Sequence, residues 1–307
     1  MMAVKCKRIV LTVIALSCMY VSANAQVYIS DYKINKTTKC LFSSYETTMT
    51  TYRDEGGDIF VEEFRANIEF PENNALDAES EKDIKEKITQ IIIGKSYVST
   101  PNEILNEYIS KSFLSKYETH KIFGDNECNS FIANTKSKSL LISDEMLWEP
   151  SAYEILTGKL ICQTNMFISY SVIVESCNAM TCLRKETTFV YDIIHKKFLK
   201  ESDFVLPEKL EAYTELIKNT MTREQKIAYN KQNINSNGNF YIDDNGLTYV
   251  FNSDKYLDEF EATIHVLLDA KLVRQQVKSE SIVYKYFNIG QVERAKAKKQ
   301  NKTVAIN

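Results

Sequence analysis

Between Phe60 and Pro71 the chain alternates apolar and polar residues with a period of two. Such alternation is typical of a strand with one buried side and one side that faces solvent. The apolar positions are Phe60, Phe64, Ala66, Ile68 and Phe70. We therefore predict a half-buried strand over residues 60–70, which ends at Pro71.

Two helical patterns follow this strand. In the first, isoleucines recur at helical spacing up to Gly94, which provides a C-terminal stop; they are Ile84, Ile88, Ile91 and Ile92. The second begins at Pro101, which a first turn tolerates, and runs to about Tyr117. Its inward positions are Ile104, Leu105, Tyr108, Ser112 and Phe113. Each pattern is apolar on one side, so we expect two surface helices that cover a sheet.

Beyond residue 130 the pattern favours strands. They are predicted at residues 131–133, 139–143, 161–174, 187–194, 240–242, 247–251 and 263–268. The Asn-Gly pair in the turn Asp243–Gly246 is the strongest hairpin signal among them. Pro207 opens one more helix, whose apolar positions are Leu210, Tyr213, Leu216 and Ile217 and which continues weakly to Tyr229. The polar run 230–239 has the composition of a loop.

The first 25 residues have the three parts of a cleavable secretory signal peptide. Lys5–Arg8 is basic, Ile9–Leu16 is apolar, and Ala23–Ala25 ends in the small-x-small pattern, so cleavage is expected between Ala25 and Gln26. The apolar run is shorter than the ~20 residues that span a bilayer. Lipidation at Cys18 is less well supported, because Leu16 is one place too late for a lipobox. We expect a periplasmic or extracellular protein.

Charge and composition limit the kinds of protein that the mature chain can be. Removing Lys5, Lys7 and Arg8 leaves 35 of the 38 basic residues against 41 acidic ones, a net charge of −6. This balance gives no general affinity for nucleic acid or anionic membrane. The apolar run 161–174 is interrupted by polar residues, so no transmembrane anchor is expected. Few glycines and prolines with many aromatic residues indicate a packed globule.

Five cysteines remain after the signal is removed: Cys40, Cys128, Cys162, Cys177 and Cys182. Five is odd, so at least one thiol stays free or pairs between chains. Cys177 and Cys182 are favoured as a disulfide that closes a hairpin loop, with a modest gain because the loop is short. Free thiols and a metal site are the alternatives, and no nearby histidine completes a zinc ligand set.

Strands that follow one another through hairpins, apart from the helices, indicate an α+β protein with mostly antiparallel sheets and helices packed on one face. We predict two subdomains, at residues 26–148 and 149–275, after the signal peptide 1–25. Residues 276–307 are predicted as a basic tail, a frayed helix or disordered; its charges are Arg294, Lys296, Lys298, Lys299 and Lys302. A solvated tail is favoured over one that contacts anionic glycan or lipid.

The sequence contains no recognised catalytic or metal-binding pattern. The histidines His120, His195 and His265 are scattered, and the sequence holds no nucleophile elbow, P-loop, dinucleotide fingerprint or zinc-protease motif. Asp243–Gly246 lacks the remaining elements of a calcium loop. Glu62-Glu63 and Asp258-Glu259 are carboxylate pairs of the kind a glycosidase needs, but such pairs occur by chance. No catalytic residue, cofactor or metal is expected.

The C-terminal half resembles the C-terminal domain of the RsiV/PdaC-type family of exported proteins. The resemblance is carried by a strand ending in Tyr-Asp, a short Lys-Phe-Leu segment, and a hairpin with a Gly-Leu step after a helix; these are residues 187–192, 195–204 and 240–252. The smaller domain that usually precedes it is similar to residues 40–145. The family's Gly-Gly-Ala-His turn is replaced here by Ser176–Cys182.

This resemblance implies a cell-envelope binding or sensing module and no chemistry. In RsiV the exported part binds lysozyme, and in PdaC the same domains precede a peptidoglycan deacetylase. We therefore expect a non-enzymatic exported protein that binds an envelope protein, such as lysozyme, or an envelope glycan. A glycan-active hydrolase and an assembly subunit are the alternatives. Trp148, the single tryptophan, is expected to plug a domain interface or to stack on a ligand.

Overall fold

The computed structural model describes residues 26–30, 32–38, 42–55, 58–72, 76–116, 120–123, 152–178, 182–232, 238–252 and 263–288. Several predictions fall outside these ranges and stay predictions. They concern the signal segment 1–25, Cys40 and Cys128, the strands at 131–133 and 139–143, Trp148, the pair Asp258-Glu259, and the basic residues from Arg294 onward.

Within the described residues, nine strands form one mixed sheet. They are β1 Gln26–Ser30, β2 Asn35–Thr38, β3 Phe42–Glu55, β4 Asp58–Pro71, β5 His120–Phe123, β6 Ala152–Gln163, β7 Phe167–Asn178, β8 Cys182–Asp192 and β9 Lys197–Phe198. The order is β5-β1-β3-β4-β6-β7-β8-β9, and β2 also pairs with β3. The β1–β5 and β4–β6 pairs are parallel and the other pairs are antiparallel.

A second, antiparallel sheet contains β10 Phe240–Ile242, β11 Gly246–Asn252 and β12 Thr263–Asp269. The predicted hairpin and the strand at 263–268 are therefore confirmed. Asp243 Oδ1 accepts hydrogen bonds from the backbone N–H groups of Asn245 and Gly246, at 2.8 and 3.1 Å. These bonds explain the acidic residues of this segment as parts of a turn.

In the chain, the first two helices lie between β4 and β5, and the others follow β9. They are α1 Ala78–Ile93, α2 Pro101–Tyr108, α3 Glu201–Phe204, α4 Leu210–Thr220, α5 Arg223–Gln232 and α6 Ala270–Arg274, followed by helical residues 282–288. A π-helical turn, Ile109–Phe113, and a 3₁₀ turn, Leu114–Lys116, continue α2. Gly94 ends α1 with φ of 73°, the left-handed conformation that favours glycine.

Two clusters of buried apolar residues hold the layers together. The first lies between the large sheet and the helices α1 and α2, and Phe64, Ile68, Ile88 and Leu105 are completely buried in it. Gly158 of β6 faces this cluster, and an added Cβ there would lie 2.5 Å from Tyr170 Oη. The second cluster lies between the small sheet, α4 and residues 273–287. The α+β class with helices on one face of the sheet is confirmed.

Four sequence predictions need correction. The predicted strand 161–174 is two strands, because Thr164 Oγ1 accepts from the N–H groups of Met166 and Phe167, both at 3.0 Å, and turns the chain. Leu210 is 51% exposed rather than inward. The helix α5 reaches residue 232, inside the predicted loop. The predicted tail starts too early, since Val277, Ile282, Val283 and Phe287 are buried in the second cluster.

The large sheet runs across the predicted boundary between residues 148 and 149. Strand β4 pairs with β6 from Glu62↔Ala152 to Ile68↔Gly158. The first cluster likewise contains Leu156, Tyr170 and Tyr191 beside residues of β3 and β4. Residues before and after position 148 therefore belong to the same sheet and to the same first cluster.

Candidate binding surface

One face of the large sheet is polar and open to solvent over its central strands. Even-numbered residues of β4, such as Phe64, point to the helices, so its odd-numbered residues point the other way. The pairing registers place the even-numbered residues of β3 on this same face. They also place the odd-numbered residues of β6 there. On β3, β4 and β6 the exposed residues of this face are the following, which we call the polar strip: Glu46, Thr48, Arg65, Asn67 and Lys159.

The amide of Asn67 has a fixed orientation within the polar strip. Its Oδ1 accepts a hydrogen bond of 2.7 Å from Ser44 Oγ, and its Nδ2 donates one of 2.9 Å to Glu46 Oε1. Glu46 and Asn67 are also directly paired across β3 and β4. A second amide hydrogen and further lone pairs remain for a ligand.

Arg65 is held in the same way. Its Nε and Nη2 donate to the two carboxylate oxygens of Glu63, at 2.8 and 2.7 Å, in a bidentate pair on one strand. These hydrogen bonds raise the pKa of Arg65. The Arg65 side chain is 59% exposed, and its guanidinium has further N–H donors beyond those bound to Glu63. Two charged groups of the strip, those of Arg65 and Glu46, are thus positioned by neighbours before any ligand arrives.

Half-exposed residues of β6 and β7 border the polar strip. Ile155 lies beside Arg65, Thr157 lies beside Asn67, and Ile173 is paired with Thr157. These side chains give the strip an aliphatic margin. The small sheet covers the same face farther along, at β8.

The small sheet contacts the edge of β8 through asparagine side chains. Their amides form the backbone hydrogen bonds that a neighbouring strand would form. Asn252 Oδ1 accepts from the N–H of Glu186 at 2.8 Å, and its Nδ2 donates to the carbonyl of Glu186 at 2.7 Å. Asn239 accepts from the N–H of Thr188 and donates to the same Glu186 carbonyl. These bonds satisfy an edge that would otherwise present unpaired groups.

A buried carboxylate lies at this junction. The side chain of Glu186 is 5% exposed; its Oε1 accepts from Ser171 Oγ at 2.7 Å, and its Oε2 lies 3.0 Å from His265 Nε2 of β12. Burial raises the pKa of Glu186, but the contacts with His265 and Ser171 outweigh it, so the net shift is downward. The group is therefore an ionised acceptor that links the two sheets, a role that sequence reasoning missed.

A second buried carboxylate belongs to the helix-covered face. Glu154 of β6 accepts from Tyr108 Oη at 2.7 Å and from Lys116 Nζ at 2.6 Å. Burial, with the nearby carboxylate, raises the pKa of Tyr108. The lysine compensates the charge, so this group anchors the end of the helical segment to the sheet.

The predicted disulfide between Cys177 and Cys182 is confirmed. The two residues are directly paired, Cys177 near the end of β7 and Cys182 at the start of β8. Cys162 is the free cysteine among the described residues. Burial raises the pKa of its thiol, which makes the thiolate less available at neutral pH.

The other residues singled out by sequence are dispersed. His195 Nδ1 lies 2.7 Å from Asp192 Oδ2 within the β8–β9 turn, far in sequence from His265. Glu62 and Glu63 are adjacent on β4, so their side chains point to opposite faces and cannot act together. Within the described ranges, no three His, Cys, Asp or Glu residues are grouped to hold a metal ion. None of the helices in those ranges is long and apolar enough to cross a membrane.

Comparisons with known proteins give a structural likeness and no sequence match. No family model and no curated protein matches the chain. The fold is similar to the crystal structure of a DUF3298 family member from Bacteroides fragilis, with a TM-score of 0.52 and 14% identity over 82% of this chain and 95% of that one. A DUF3298 family protein from Pseudomonas aeruginosa matches with a TM-score of 0.43 and 8% identity, over 81% and 94% of the two chains. DUF3298 denotes a domain of unknown function, so the likeness concerns the fold.

Proposed function

We propose that this chain is an exported, non-enzymatic binding or sensing protein of the cell envelope, of the RsiV/PdaC type. The observation that carries the proposal is the polar strip. It is an exposed set of hydrogen-bonding groups in the middle of a sheet, and neighbouring side chains hold three of them, Glu46, Arg65 and Asn67, in place. Preorganised groups lose little conformational entropy when a ligand binds, which favours recognition.

The carboxyl groups favour binding over hydrolysis. A glycosidase needs one acid whose pKa is raised, so that it can donate a proton. Here the pKa of buried Glu186 is lowered, and Lys36, Tyr45 and Ser43 lower the pKa of Glu72 against the effect of burial. Carboxyl groups that are ionised at neutral pH lack the proton that a general acid donates.

The RsiV/PdaC assignment rests on the sequence resemblance together with the order of elements. The residues that carry the resemblance lie in β8, β9, α3 and the β10–β11 hairpin. In the fold they converge at one place, where the hairpin contacts the edge of β8. The fold supports the resemblance in this respect, while fold alone does not define a ligand.

The test is retention of envelope components by the full-length protein, expressed with residues 1–25 in place and immobilised after purification. N-terminal sequencing should find Gln26 first, in the periplasmic or extracellular fraction. Envelope extract and purified lysozyme are then applied to wild type, to the double variant Arg65→Ala/Asn67→Ala, and to the control Lys82→Ala on the exposed side of α1. We expect wild type and the control to retain a component that the double variant releases.

Three outcomes would overturn the proposal. Retention of nothing from the envelope would remove the binding role. Release of reducing sugar from peptidoglycan would favour the hydrolase. A disulfide-linked dimer on non-reducing gels, lost when the cysteines other than Cys177 and Cys182 are replaced, would favour an assembly subunit.

A further inference from the structure

From the contact between Glu186 and His265, we infer that the docking of the small sheet on the large sheet depends on pH, and that protonation of His265 strengthens it. Glu186 belongs to β8 of the large sheet and His265 to β12 of the small sheet. Their side chains meet at the junction of the two sheets, by which we mean the contacts of the small sheet with β7 and β8. The inference concerns the stability of this junction and goes beyond the proposed binding function.

The junction is otherwise held by neutral groups. Asn239 and Asn252 bind the backbone of β8 through their side-chain amides. The backbone N–H of Ile242 donates to Ser169 Oγ at 3.0 Å. Histidine is the side-chain type whose charge ordinarily changes between about pH 5 and pH 8, and among the described residues that form these contacts His265 is the one histidine. A pH effect on the junction is therefore expected to act through it.

His265 faces a buried negative charge at short range. Its Nε2 lies 3.0 Å from Glu186 Oε2, and the side chain of Glu186 is 5% exposed whereas that of His265 is 36% exposed. Ser171 Oγ is bound to Glu186 Oε1, and Gln225 of α5 holds the His265 carbonyl at 3.1 Å. An imidazolium attracts a carboxylate more strongly than a neutral ring does, and burial of the carboxylate limits the screening of this attraction. The exposure of His265 lets it exchange protons with solvent.

The other charged or titratable groups around this contact do not replace the histidine. Arg184 Nη2 lies 3.9 Å from Glu186 Oε2, beyond hydrogen-bond distance, and its charge does not change with pH in this range. Tyr241 of β10 lies beside the histidine ring, with centroids 6.4 Å apart. Burial, with the nearby carboxylates of Asp243 and Glu186, raises the pKa of Tyr241, so its hydroxyl stays neutral. Lys159 is exposed on β6, two strands away from β8.

The expected pH dependence has a defined sign. When the imidazole is neutral, the contact retains at most a hydrogen bond. When it is protonated and Glu186 is ionised, the two groups attract each other and the junction is strongest. The junction weakens again only when the pH falls through the lowered pKa of Glu186. Where the junction opens, the N–H groups of Glu186 and Thr188 lose their acceptors, and the edge of β8 can pair with another strand.

Hydrogen exchange of the purified full-length protein tests the inference. Three backbone N–H groups donate across the junction and report on its opening: those of Glu186, Thr188 and Ile242. Exchange is measured at about pH 5.5 and about pH 7.5, on either side of the histidine pKa of ~6.5 in model peptides, and each rate is divided by the intrinsic rate at that pH. We expect the three groups to be about fivefold better protected at the lower pH, which corresponds to ~1 kcal/mol, with no such change in β3 and β4.

Three variants identify the groups responsible. His265→Gln keeps an N–H donor but cannot be protonated, so the protection of the three reporters should no longer depend on pH. Glu186→Gln removes the negative charge at nearly the same size and should abolish the dependence as well. His195→Gln is the matched control, because His195 also contacts a carboxylate, that of Asp192 at 2.7 Å, but within the β8–β9 turn. It should behave as wild type does, and circular dichroism should show that each variant is folded.

Several results would overturn the inference. One is equal protection of the three reporters at the two pH values in wild type. Another is a pH dependence that persists in His265→Gln or in Glu186→Gln; if the first of these variants does not fold, the second alone decides. A pH effect of the same size throughout β3 and β4 would also overturn it, because the change would then concern the whole fold rather than the junction.

Discussion

The two faces of the large sheet are built from alternate residues of the same strands, yet they have opposite roles. Phe64 points into the first cluster and is fully buried, whereas its neighbour Arg65 points to solvent and is positioned by Glu63. The helix-covered face provides the stability of the sheet. The open face is therefore free to carry polar groups whose replacement costs the fold little, which is what a binding surface requires.

The largest loss of stability is expected when a buried side chain of the helix-covered face is truncated. We expect Phe64→Ala to lower the free energy of unfolding by about 4 kcal/mol, because it removes a fully buried ring and leaves a cavity between Tyr108 and Phe113. Urea unfolding followed by circular dichroism measures the change. A loss below about 1 kcal/mol would mean that this face does not hold the sheet together.

The junction of the two sheets is expected to be the next most sensitive region. Asn239→Ala should cost about 2 kcal/mol, because the N–H of Thr188 loses its acceptor and the Glu186 carbonyl loses one of its two donors. Hydrogen exchange should rise at β8 and β10. Asn102→Ala, at an exposed site in α2, is the control and should be close to neutral. Equal effects of the two variants would remove the role of Asn239 at the edge.

A smaller, pH-dependent effect is expected from Glu186. Because its folded-state pKa is lowered, its contribution to stability is present above the ordinary glutamate pKa of about 4.3 and is lost as the pH falls through the folded value. The stability of Glu186→Gln should therefore approach that of wild type as the solution is acidified. Glu208→Gln, at an exposed site, is the control. A gap between Glu186→Gln and wild type that widens on acidification would contradict the sign of the shift.

The smallest effect is expected on the open face. Arg65→Ala should change the free energy of unfolding by less than about 0.5 kcal/mol, since an exposed ion pair contributes little to stability. The same thermal or urea unfolding measures it beside Phe64→Ala, its neighbour on the strand. A large destabilisation by Arg65→Ala would show that the polar strip supports the fold rather than a ligand.

Features with local signals were predictable from the sequence. The alternation of β4, the isoleucine spacing and Gly94 of α1, the Asn-Gly hairpin and the Cys177–Cys182 bridge each depend on residues close together in the chain. The first half of β6 was not predicted, because Gly158 and Lys159 interrupt its apolar pattern. The glycine is required there by the approach of Tyr170, a residue of the neighbouring strand.

The candidate site was harder to predict than the fold. The contact between Glu186 and His265 joins residues 79 positions apart, and nothing at either position marks the other. Asn239 and Asn252 looked like loop and strand-end residues, although their amides complete the edge of β8. For the polar strip one signal was available, since Arg65 and Asn67 are among the polar members of the alternating run. The pairing of β4 with β3 and β6 was needed to show that these residues share an open face with residues of other strands.

The parallel pairing of β4 with β6 has a consequence for the order of folding. Glu62 and Ala152 are partners across this junction although 90 positions separate them, so closing the loop costs about 4 kcal/mol of chain entropy, against about 1.4 kcal/mol for the turn between Cys177 and Cys182. The β3–β4 and β7–β8 hairpins can thus form early, each by itself, whereas β4 and β6 pair late. A growing chain that stops before residue 152 leaves β4 with an unsatisfied edge, ready to pair with another molecule.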